Sequence, residues 1–178
     1  MNNKLSMKKM VTSAICLALC LVLPFLTGQI PQIGAMLSPM HIPVLLCGFL
    51  CGPLWGAVVG ITAPLLRSVL FGMPRLFPTA IAMCFELCAY GFFAGFLYRR
   101  MPKKPWRVYA ALICAMILGR LVWGAAQFVL LNASGSAFTL QAFMAGALFN
   151  AVPGIILHIV LIPILVKAVE KAGYGDNQ

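Results

Sequence analysis

Arg67, Glu86, Arg120, Gln127 and Asn150 stand inside long apolar runs, and Arg75 stands beside one. A charged side chain in hydrocarbon is costly, so such residues face a bundle interior or a cavity and mark binding sites or ion paths. One acid faces two arginines in this set. If Glu86, Arg67 and Arg120 converge, a positive surplus remains. It suits a carboxylate or phosphate, because guanidinium meets an oxyanion through a two-pronged hydrogen-bond geometry. Arg120 is the expected anchor, with Glu86 holding its guanidinium, Asn150 and Gln127 adding neutral hydrogen bonds, and Arg67 as the rival anchor nearer the surface. Tyr90, Trp123 and Phe128 offer apolar walls, although aromatics in membrane helices also serve as packing or interface anchors. The competing reading is that Glu86 pairs with Arg67 or Arg120 only to brace the bundle.

The elements that must position these residues follow from composition. Of 178 residues, 62% are hydrophobic and 9% charged, and the mean hydropathy is +1.00; a water-soluble domain of this size does not have that balance. The expected class is an all-α membrane protein. The net charge of +10 does not point to nucleic acid, because the basic residues sit in short segments between apolar runs. Apolar stretches and Gly/Pro breaks predict six helices, at about residues 7–26, 41–51, 54–71, 78–98, 108–131 and 139–169 of one integral membrane domain. Glycines recur every fourth residue at Gly48, Gly52, Gly56 and Gly60, with Pro53 just after the second. Proline inside a helix clashes with the preceding turn, so the chain should break there into two helices meeting in a hairpin, with Pro53 in the first turn of the second. The ladder itself reads as close helix packing.

A single helix over Val44 to Phe71 would leave five spans. Charge decides against it. With Lys4, Lys8 and Lys9 inside, six spans place the basic loop Arg99 to Arg107 and also Lys167 and Lys171 inside, as the positive-inside rule requires. Both termini are then cytoplasmic. Counting at about 1.5 Å per residue places the buried polar groups mostly in the outer half of the membrane. That describes a pocket open to the outside.

The basic start and apolar run of Met7 to Leu26 resemble a signal peptide, but no small-x-small cleavage site follows, and the run is read as the first span. Seven cysteines include three pairs at i, i+4. Without a histidine on the same faces they read as small apolar residues, neither a disulfide framework nor a metal site. No catalytic set and no cofactor motif is expected. An intramembrane serine protease built on Ser134 or Ser136 and His158 fails because counting places the serines outside and the histidine far down helix six. A self-sufficient secondary transporter of a small organic anion is the second alternative. The chain shows no inverted repeat, however, and has few acids to relay protons.

From Met7 to Lys171 the chain resembles the substrate-binding S components of energy-coupling factor (ECF) vitamin transporters. The resemblance rests on the small size with six helices, Ala14-x-x-x-Ala18 in helix one, the run SPMHIPVLLCGFLCGPLWG at Ser38 to Gly56, and PGIILHIVLIPIL at Pro153 to Leu165. It implies a non-enzymatic binder in a bacterial plasma membrane. Its ligand would be a vitamin-like small molecule, pantothenate first and riboflavin or another small vitamin as the alternative, held by helices four to six under the outward loops. It further implies docking through Ala14 and Ala18 on a transmembrane coupling subunit driven by two ATP-binding-cassette ATPases. The chain has no GxxxxGK[ST] loop of its own, so energy must come from such partners. Alanines four apart also occur at Ala111/Ala115 and Ala147/Ala151, so the spacing alone does not single out helix one.

Overall fold

A computed structural model describes residues 2–27, 36–104, 106–135, 139, 143–144 and 151–172, with side chains from residue 7 onward. The described elements are helical, without a strand among them. Helix α1 covers Asn2–Val22 and tightens into a last helical turn at Leu23–Thr27. It is followed by α2 (His41–Cys51), α3 (Pro53–Phe71), a distorted turn at Leu76–Ala80 and α4 (Ile81–Arg100). The last two are α5 (Arg107–Ala133) and α6 (Val152–Lys171). Among the described residues, five segments are long and apolar enough to cross a membrane, and the 11-residue α2 is the short exception. This is an all-α membrane bundle. The sixth helix, expected to start at Thr139, is described from Val152, and the intervening stretch lies largely outside the described residues.

At roughly 16 Å by its rise, α2 cannot cross the hydrocarbon alone, and the chain folds back at Gly52 instead. Gly52 has φ +102°, a conformation that side-chain-bearing residues rarely adopt. Pro53 opens α3, where its missing N–H leaves no hydrogen bond unmade. In a continuous helix Gly48 and Gly56 would be about 12 Å apart. Here a β-carbon on Gly56 would lie 2.8 Å from the Gly48 α-carbon. The two helices form a hairpin.

This hairpin lies on α4 at near-backbone distance. A β-carbon on Gly91 would run into the Gly56 backbone, including its α-carbon at 2.8 Å, and one on Gly95 would be 2.6 Å from the Pro53 nitrogen. Two glycine ladders therefore face each other, and only hydrogen at these positions lets α2, α3 and α4 meet at one level. Arg99 fastens the Gly52 end of the hairpin by donating from Nη2 to the Cys51 carbonyl at 3.0 Å.

Around this centre Leu45, Leu87, Leu112, Ile162 and Val166 are fully buried. Ile15, Val69, Ile117 and Ile156 point outward from α1, α3, α5 and α6, as lipid-facing side chains must. Four buried cysteines, Cys16, Cys20, Cys47 and Cys51, fill the seam between α1 and α2, where Cys20 donates to the Met40 carbonyl at 3.5 Å and Cys47 to Ser13 Oγ at 3.6 Å. Where the basic loop joins α4 to α5, the Tyr98 hydroxyl donates to Glu170 Oε1. Arg107 lies 3.8 Å from the same oxygen and 3.7 Å over the Tyr98 ring. That group clasps α4, α5 and α6 together.

Candidate functional site

Entry into α2 sets one wall of the site. Ser38 takes φ +46°, a strained choice for a residue with a side chain, of the kind that collects at functional sites. The turn it makes lets its carbonyl accept the His41 N–H at 3.0 Å and start the helix. The Ser38 backbone also lies in hydrogen-bonding reach of His158 on α6. Gly154, one turn earlier on α6, admits the lead-in loop: a β-carbon there would be 2.6 Å from the Met36 carbonyl oxygen. Loop, α2 and α6 are thus seated together, and the two imidazoles stack with ring centroids 6.0 Å apart.

The opposite wall comes from α4 and α5. Glu86, 2% exposed, receives Arg120 Nη1 at 2.9 Å and His41 Nε2 at 3.4 Å on Oε1. Tyr90, one turn along α4, lies edge-on to His41 at 5.1 Å and within interaction range of the Glu86 carboxylate. It reaches this position because Gly119 precedes Arg120; any β-carbon there would strike the Tyr90 ring. Four helices thus deliver Glu86, Arg120, Tyr90, His41 and His158 to one buried point.

The hydrogen bonding of this group is incomplete. The Glu86 ion pairs are short in distance, but their N–H groups are not aligned on the oxygen. Among the described residues, the buried side-chain atoms without a hydrogen-bond partner are His41 Nδ1 and Nε2, Glu86 Oε1, Arg120 Nε and His158 Nε2. Every one belongs to this cluster. Leaving a buried polar group unpaired costs about 1–3 kcal/mol, and native interiors rarely tolerate it. Two of the five, Glu86 Oε1 and His41 Nε2, face each other at 3.4 Å, and Glu86 Oε1 also lies 2.9 Å from Arg120 Nη1, so the cluster is a buried charge pair whose hydrogen bonding is incomplete.

Of the residues expected from sequence, Glu86 and Arg120 meet here. Gln127 is buried two turns further along α5, on the Arg120 side of that helix. Arg67 engages α1 instead. Its Nη1 donates to the Leu21 carbonyl at 2.7 Å, and its guanidinium lies 5.1 Å from the Phe25 ring and 5.4 Å from Phe71. The expected excess of positive charge around Glu86 therefore does not form, since the second guanidinium neutralises a helix end and stacks on aromatics. Asn150 lies outside the described residues. Trp123 stacks at 6.3 Å on Phe143, one turn beyond Arg120, whereas Phe128 is 56% exposed. Ala14 and Ala18 are exposed on α1, while Ala111 and Ala115 are fully buried.

Sequence reasoning passed over His41 and weighed His158 only as a protease histidine. Each is an ionisable side chain in an apolar run, which was signal enough. His158 was placed deep in the membrane by counting from Thr139. The described helix starts at Val152, only six residues before it, and the contact with His41 puts it level with the first turn of α2.

The fold defines a multi-pass α-helical membrane protein with a polar cluster enclosed by its helices. The chain belongs to the family of ECF transporter substrate-specific components, whose family model matches residues 8–166. Neither the curated proteins nor the solved structures yielded a match. As a member of that family the chain is a transport subunit rather than an enzyme, and it works in a membrane with a coupling subunit and ATPases.

Proposed function

We propose that this subunit captures a small water-soluble vitamin or vitamin precursor from outside a bacterial cell, in a site built on Glu86, Arg120, His41 and His158. The observation that carries the reading is that, among the described residues, the five buried side-chain atoms without an aligned hydrogen bond all lie around one ion pair inside an apolar bundle. With both termini cytoplasmic, the His41 end of α2 lies in the outer half of the membrane, so the site is reached from outside through the loop that ends at Met40. Pantothenate and riboflavin are the leading candidate ligands.

Delivery then depends on partners. Ala14 and Ala18 form an exposed small-residue step on α1, which supports a role in docking the coupling subunit, since small residues let a partner helix approach closely. The rival reading, a secondary transporter acting alone, predicts uptake by this chain without ATPases.

Mass spectrometry of small molecules copurifying with the wild-type protein, followed by titration of the compound found against Arg120→Lys, tests the reading. Lysine keeps the charge but lacks the planar fork, and loss of a charge-assisted hydrogen bond should weaken binding roughly tenfold to a hundredfold. Undiminished affinity in the folded variant would make the ion pair a brace only.

A further inference from the structure

The basic end of the bundle holds more charge than the fold uses. From Arg99 to Arg107 five cations stand with no acid between them. Two of the arginines are committed: Arg99 donates to the Cys51 carbonyl, and Arg107 lies against Glu170 and the Tyr98 ring. Arg100 is not. Among the described residues it meets neither a carboxylate nor a carbonyl oxygen, and its guanidinium lies 5.6 Å from the centroid of the Phe96 ring on an exposed side chain.

The same face of α4 is aromatic beneath it. Phe96 precedes Arg100 by about one turn and Phe92 precedes Phe96 by another, so the three share a face. The two rings lie nearly parallel, 8° apart in plane and 5.8 Å between centroids, and are 36% (Phe92) and 40% (Phe96) exposed. Phenyl rings exposed on a spanning helix meet acyl chains. A long cationic side chain reaches from such a surface to the membrane interface. Toward its end, α4 therefore presents an apolar shelf and then a guanidinium with its hydrogen-bonding fork open.

A phospholipid carries the complement in the same order, acyl chains in the hydrocarbon and a phosphate at the interface. Guanidinium meets phosphate through two parallel hydrogen bonds. Net charge then selects among phospholipids. A zwitterionic headgroup brings its own ammonium to a surface that already carries Lys103 and Lys104, whereas each Lys or Arg near the membrane surface is worth roughly fivefold in affinity for acidic lipid. A cation placed only to offset the carbonyl end of α4, or to fix topology, needs no aromatic shelf.

We propose that Arg100, Phe96 and Phe92 form a binding site for one anionic phospholipid in the leaflet at the basic end of the bundle, its phosphate on the Arg100 guanidinium and an acyl chain along the two rings. The site is separate from the polar cluster around Glu86 and does not depend on what that cluster binds.

Native mass spectrometry of the full chain in detergent, titrated with phosphatidylglycerol or with phosphatidylcholine of the same acyl length, tests it. The first phosphatidylglycerol should bind roughly tenfold more tightly than phosphatidylcholine, and Arg100→Gln should abolish that preference. Arg100→Lys should keep part of it, since ammonium has charge without the fork. Lys171→Gln removes an equal charge at the same end and should leave the preference within about twofold. Replacing Phe92 and Phe96 together by alanine should weaken both lipids, and millimolar inorganic phosphate should displace neither. Equal losses in Arg100→Gln and Lys171→Gln would replace the site by a diffuse field. Displacement by phosphate, or full lipid binding without the two rings, would remove the acyl shelf. No preference in the wild-type protein would leave Arg100 a topology signal. Each of these results overturns the proposal.

Discussion

Replacing Gly91 by alanine should destabilise the bundle, although the same change in an open helix would strengthen it. Alanine is favoured over glycine inside a helix by about 1 kcal/mol, because glycine loses more backbone freedom on ordering. Against that gain stands the position of the new methyl group. It would overlap the Gly56 carbonyl and sit 2.8 Å from the Gly56 α-carbon. These are backbone atoms of another helix, which cannot rotate aside as a side chain can. Overpacking of this kind costs about 1–3 kcal/mol, and contact with rigid backbone places Gly91 at the upper end. The net loss is then about 2 kcal/mol for alanine and more for leucine. Gly124→Ala is the internal comparison, because there the methyl meets the Phe143 ring at 2.7 Å, and a ring can shift. Unfolding by sodium dodecyl sulfate, followed by circular dichroism, measures both. A Gly91→Ala protein as stable as wild type, or less affected than Gly124→Ala, would refute the backbone-contact argument.

The docking surface and the topology can be checked the same way. Leucine at both Ala14 and Ala18 should fill the exposed step on α1 and abolish copurification with the coupling subunit, while ligand affinity stays within about twofold, because neither side chain faces the polar cluster; unchanged copurification would move the docking face elsewhere. In a cysteine-free background, Lys104→Cys should resist a membrane-impermeant maleimide in intact cells and react after lysis, since the basic loop is expected inside. Labelling of intact cells would invert the orientation.

The membrane class and the Gly52 break were legible because they depend on local chemistry. Proline after a glycine ladder stops a helix whatever surrounds it, and apolar length is countable. The pairing of Glu86 with Arg120 was also legible, since each had to find a partner and depth counting put them level. The fate of Arg67 was not. Depth counting put it nearer the surface than Glu86 but on the same side of the membrane; which way α3 faces is decided by the glycine contacts with α4, and Arg67 turns toward α1. His158 was missed because no partner for it was sought: its neighbour His41 lies more than a hundred residues away in sequence, and only the packing of α2 against α6 brings the two rings together.

The clasp formed by Tyr98, Arg107 and Glu170 has a mechanical consequence. It ties the ends of three helices at the side of the molecule opposite His41, so a rocking of α6, were it to occur with the clasp intact, would turn about that end. His158 lies twelve residues from Glu170, an arm of about 18 Å, and a tilt of about 10° would carry it roughly 3 Å. That is enough to unstack it from His41 and to lift the Met36 loop seated on Gly154, with the fulcrum intact. The clasp would then act as a hinge, and the His41–His158 contact would be the part of the bundle most sensitive to the angle of α6.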